Sequence, residues 1–100
     1  MDRQQRRKTE TRLHKIDIQA LPLIDPDALP GLPDSMEGRL FQDKGLEPCV
    51  VLFHPLAEMH LLIRLTDLEN LPKYVEQLNF AVLKQAMGET PEEEGYRISP

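Results

Sequence analysis

The chain has 100 residues, 40% of them hydrophobic, with 12 Lys or Arg against 17 Asp or Glu and a formal net charge of −5. That length holds one small domain at most, which buries a smaller fraction of its surface than a larger one does. With no run of about 20 apolar residues and no apolar segment behind the basic N-terminus, neither a membrane contact nor a secretory leader is expected, and the default location is cytoplasmic.

Charge is unevenly placed along the chain. The first fifteen residues carry Arg3, Arg6, Arg7, Lys8, Arg12 and Lys15 against Asp2 and Glu10, a balance of +4. The remaining eighty-five hold fifteen acidic and six basic side chains, a balance of −9, with Glu92, Glu93 and Glu94 crowding the end. The N-terminal segment thus attracts nucleic acid while the body repels it. The single cysteine, Cys49, cannot form an internal disulfide and suits a reducing compartment. Its place in an apolar run makes it a buried hydrophobe before a reactive thiol.

In chain order, Met1 to Arg12 (MDRQQRRKTETR) has no apolar residue after Met1, which predicts a flexible basic arm over 1–12. The partial two-residue alternation of Leu13, Ile16, Ile18 and Ala20 predicts a short strand. From Leu21 to Asp34 four prolines and a glycine forbid a regular ladder or helix, so 21–34 is an extended connector. Its leucines, Leu21, Leu23, Leu29 and Leu32, are frequent enough to lie along an apolar surface. A strand around Gly38 to Gln42 follows, with Asp43, Lys44 and Gly45 as its turn.

The strongest strand signals are Cys49 to Phe53 and Met59 to Leu65, which should pair as an antiparallel hairpin. Beyond them a helix is predicted from the Asn70 cap to Met87, with Pro72 in its first turn and Gly88 as its stop. Thr66 and Glu69 have capping-box spacing and mark a separate short turn before it. Leu71, Val75, Leu78 and Val82 make one apolar stripe on the helix, and Phe80, Leu83 and Met87 a second. Residues 89–100 read as an acidic tail.

These elements predict an α+β fold: a small antiparallel sheet of three to four strands, with its central hairpin at about 49–65, packed against one C-terminal helix at about 70–87. A single domain over 13–88 would include the connector.

The stretch FHPLAEMH, residues 53–60, raises a metal or substrate site. If Pro55 to Glu58 form a four-residue loop, His54 pairs with Met59, and the two histidines face opposite sides of the sheet. If the loop runs from Pro55 to Met59, His54 sits opposite His60 and a two-histidine site can form. Zinc needs three or four ligands, and only Glu58 is near in sequence, so a polar hairpin tip is the preferred reading and no metal or cofactor is expected. The chain has no glycine-rich phosphate loop, nucleophile elbow or paired-cysteine motif. Cys49 and His54, five positions apart on one strand, point to opposite faces. Asp25, Asp27 and Glu92 to Glu94 lie where nothing holds a catalytic spacing. No catalytic residue is assigned.

Both faces of the hairpin are apolar, and one helix covers only one face of a small sheet. The other face or the second helix stripe therefore needs the connector, a second copy or another protein. The expected function is a small non-enzymatic interaction module, such as a regulator, inhibitor, adaptor or accessory subunit. It would dock through Leu29, Leu32, Phe80, Leu83 and Met87, with Arg6, Arg7 and Lys8 as electrostatic contacts. The alternative is a nucleic-acid-binding protein that uses the basic arm on a homodimeric body. Against it, that arm has no aromatic residue for base stacking.

Overall fold

A computed structural model describes residues 3–88; the acidic tail expected over 89–100 lies outside them. Three antiparallel strands run in the order β1 (Glu37–Phe41), β2 (Cys49–His54) and β3 (Met59–Arg64). The register pairs His54 with Met59, Val50 with Ile63 and Leu40 with Val50. The four-residue loop is therefore the one that forms. Its last residue, Glu58, has a left-handed backbone (φ +55°) and donates its N–H to the His54 carbonyl at 2.8 Å.

Strand β2 is buried along its whole length because it is central and both faces are covered. On one face Val50, Leu52 and Ile63 pack with Leu71 and Leu78 of helix α2 (Leu71–Ala86). Fully burying such aliphatic side chains contributes about 1.5–3 kcal/mol each. Helix α2 starts at Asn70, as the sequence predicts, but Asn70 makes no side-chain cap bond. A 3-10 turn over Leu65–Asn70 leads directly into α2, and the Asn70 amide donates instead to Asp67 at 2.5 Å. Gly88 follows the end of α2 with φ +86°.

The connector does more than join. Leu23 bridges Arg39, the Ile24 N–H donates to the Gly38 carbonyl at 2.8 Å, and the Leu40 N–H donates to the Pro22 carbonyl at 3.0 Å. These bonds occupy the outer edge of β1. Leu29 then folds inward to 3% exposure beside α2, with Leu32 half-buried near it. Gly38 makes this approach fit, because a Cβ there would stand 2.3 Å from Leu29 Cδ1.

Two elements differ from the sequence-based expectation. The segment read as a flexible arm is a helix, α1 (Arg3–Leu13), whose Arg, Gln, Lys and Glu residues are good helix formers. Among its described side chains Thr9 and Leu13, four residues apart, are the buried ones, and Leu13 packs with Phe41, Val51, Phe53 and Leu62. The second face of the sheet is therefore closed within the chain, by α1 together with Ile18, Leu21 and Leu46.

The strand expected over Leu13 to Ala20 does not form. Leu13 ends α1, and Ile18–Ala20 is a 3-10 turn whose preceding Asp17 accepts the Gln19 N–H at 3.0 Å. Asp25 does the same for Asp27 at the Pro26–Ala28 turn. Short acidic side chains that bond their own backbone two residues on favour turns over ladders.

Candidate functional site

The hairpin tip resolves into two separate histidine environments. His54 shares the α2 face with Val50, Leu52 and Ile63, is nearly buried, and accepts the Ala57 N–H on Nδ1 at 3.2 Å. His60 lies on the opposite face, where its Nε2 meets Glu10 Oε1 of α1 at 2.8 Å. The two rings do not converge with Glu58, and each is engaged by a different part of the chain. Glu10 is held below its ordinary carboxylate range, first by the His60 hydrogen bond, with burial opposing and the charges of His60, Arg6 and His14 assisting.

Cys49 has no exposed surface and faces the α1 side among Leu13, Phe41 and Val51. Burial, then the negative charges of Glu10 and Glu47, push its thiol up to about 11. A thiol in that state stays protonated at neutral pH and is a poor nucleophile. At the start of α2, Tyr74 donates its hydroxyl to Asp67, which lowers the carboxyl and raises the phenol. That pair joins the 3-10 turn to α2 within one chain segment.

Among the residues expected to meet a partner, the structure makes a division. Leu29 is a core residue and Leu32 packs against that core, so neither offers an open surface. Phe80, Leu83 and Met87 are 63%, 56% and 66% exposed. At about 100° per residue, Phe80 and Met87 point roughly opposite Leu78, the buried anchor of α2. They make an apolar ridge on the far side of the helix from the sheet. Lys84 Nζ stands 5.5 Å over the Phe80 ring and is half-buried there, a cation–aromatic contact.

The basic residues belong to α1, whose Leu13 packs on the second face of the sheet. Arg6, Arg7 and Lys8 are exposed on α1, while Arg12 pairs with Asp43 in the β1–β2 turn. The backbone N–H of Lys44 and then Arg12 hold the Asp43 carboxyl below its ordinary range. Sequence reasoning missed Glu10 and Arg12 as the residues that fasten α1. Their partners lie 50 and 31 residues away, a separation that no local pattern reveals.

No protein-family model, curated protein or solved structure matches this chain. No helix among the described residues is long and apolar enough to cross a membrane.

Proposed function

We propose that this protein is a small non-enzymatic interaction module whose docking surface is the Phe80, Leu83 and Met87 ridge. The observation that carries the reading is that three large apolar side chains stay more than half exposed on one face of an otherwise well-packed helix. Both faces of the sheet are already covered within the chain, and whereas Ile16, Leu23, Leu56 and Leu65 are exposed on separate segments, these three share one face of one helix. Exposed apolar side chains grouped in a patch mark contact sites more often than those scattered singly. A partner would lay an apolar helix or groove over the ridge, and rim charges would set its register. The protein would then act as a regulator, adaptor or accessory subunit.

Nucleic-acid binding through Arg6, Arg7 and Lys8 is the second reading, supported by their exposure on a helix that is fastened to the body. It would rest on phosphate contacts and so weaken steeply with salt.

One affinity-capture experiment from native cells separates the two. The bait is the full chain as wild type, as Phe80→Glu, and as the triple Arg6→Glu, Arg7→Glu, Lys8→Glu variant. A stoichiometric protein partner lost with Phe80→Glu and kept by the triple variant supports the docking reading. Salt-sensitive retention of DNA or RNA that only the triple variant abolishes replaces it with the second.

A further inference from the structure

We infer that α1 is a hinged strap: it swings off the sheet as a unit and uncovers Cys49 with its apolar neighbours, while the α2 half of the core stays folded. This goes beyond the docking reading, since it concerns the face of the sheet that α2 does not cover. Three observations lead to it.

The first is how the core divides. Val50, Leu52, Ile63, Leu71 and Leu78 belong to a cluster on the α2 face, to which α1 contributes no residue among those described. Phe41, Cys49, Val51, Phe53 and Leu62 form the other cluster, to which α1 contributes Leu13. Strand β2 serves both, and its pairing with β1 and β3 does not pass through α1. Release of α1 therefore leaves a bonded sheet with one covered face, the kind of unit that persists while a smaller one opens.

The second is how each cover is attached. The connector joins β1 through backbone bonds, from the Ile24 N–H to the Gly38 carbonyl and from the Leu40 N–H to the Pro22 carbonyl. Side chains tie α1 to the body: Leu13 in the cluster, Glu10 at His60 and Arg12 at Asp43. Arg12 and the Asp43 it meets are open to solvent and Glu10 is only half-buried, and ion pairs so exposed break at little cost.

The third is the hinge. His14, Lys15, Ile16 and Asp17 are all exposed. The N–H groups of His14, Lys15 and Ile16 donate back to the carbonyls of Glu10, Arg12 and Leu13, whereas the Asp17 carbonyl accepts forward from the Ala20 N–H. The two sets of bonds part between Ile16 and Asp17, where the backbone is extended (φ −86°, ψ 116°). Rotation there breaks neither set, as a hinge requires. Ile18, Leu21 and Leu46, which also pack on the cluster, lie on the body side of that point and stay in place, which limits how much apolar surface the opening exposes.

Two readings on the full chain test this: amide hydrogen exchange followed residue by residue across urea concentration, and alkylation of Cys49 by iodoacetamide. In the wild type the α1 amides should exchange at least about tenfold faster than those of β2 and β3, with a shallower dependence on urea, and Cys49 should react faster than β2 exchanges. Ile63→Val, a conservative change on the α2 face, should speed exchange in β2 and β3 about threefold to tenfold and leave the α1 amides and Cys49 as they were. Arg12→Ala should speed both the α1 amides and Cys49 about twofold to fivefold. If Ile63→Val accelerates α1 and Cys49 in step with β2, α1 opens only when the whole chain unfolds and the inference falls. It falls equally if the α1 amides exchange early while Cys49 keeps pace with β2, because the helix then frays without uncovering the cluster. An Arg12→Ala chain with an unchanged Cys49 rate overturns the assigned attachment.

Discussion

At the scale of single residues, the contact between Glu10 and His60 decides how α1 responds to acid. Glu10 folds into a state in which its pKa lies below the ordinary 4.5, chiefly through the His60 hydrogen bond. A carboxyl depressed on folding contributes stability that is fully present above its unfolded value and is lost as pH falls through the folded one. The wild type should therefore exceed Glu10→Gln in urea midpoint at about pH 6, and the two should converge as pH falls from 4.5 through the lowered folded value. Urea titrations across that window check it, and a gap that widens toward acid would refute the assigned sign. His54 sits only six residues from His60 but has no carboxylate contact of this kind, since its ring accepts a backbone N–H inside the loop. Because paired positions on β2 and β3 are one odd and one even, His54 and His60 fall on opposite faces, and two chemically equal side chains stand in unrelated settings.

At the scale of elements, legibility follows how local the determining physics is. The hairpin was readable, because two apolar runs flank a polar loop, but its register was not: loops of four and of five residues both fitted the sequence, and the structure takes the four-residue one, which sets the two histidines on opposite faces. Helix α2 was readable because Asn70, Pro72 and Gly88 mark its ends within a few residues of where it begins and stops, and its exposed ridge was readable from spacing alone. Helix α1 was not, since among its described side chains only Leu13 and Thr9 are buried and it owes its position to contacts with the hairpin and the β1–β2 turn. Leu29 and Leu32 were placed on the surface for a related reason. A proline-rich segment has no period from which to infer an inward face, and Leu29 sits where a side chain at position 38 would push its Cδ1 aside.

The hairpin loop also carries a strain that the alternation does not reveal. Glu58 is the one non-glycine residue with positive φ among the described residues, a conformation that costs an L-residue about 1–2 kcal/mol. Glycine would remove that cost and give back about 0.4–1 kcal/mol through its freer unfolded chain. Glu58→Gly should raise stability by roughly 0.5–1 kcal/mol, which calorimetry would read as a midpoint about 2–6 °C higher. A lower midpoint would show that the loop gains more from the Glu58 side chain than its backbone loses.

At the scale of the whole molecule, the sheet is closed by elements from opposite ends of the sequence, with α2 and the connector on one face and α1 on the other. An isolated helix of 11 residues is marginal in water, so α1 depends on the body for its form, and the body depends on α1 to cover Phe41, Val51, Phe53 and Leu62. Removing residues 1–13 therefore takes away a wall of the core as well as a patch of positive charge. The deletion should bind a hydrophobic dye and unfold over a broader, earlier transition. Leu13→Ala alone should cost about 2–4 kcal/mol. The triple reversal of the exposed Arg6, Arg7 and Lys8 should leave the unfolding free energy within about 1.5 kcal/mol of wild type. Denaturant titrations of the three variants check the ordering. If the deletion unfolds as late and as steeply as the wild type, α1 is an appendage and its basic residues are free to serve a partner. If the ordering holds, truncation cannot separate a binding role of the N-terminal segment from its structural one, and only the charge reversal can.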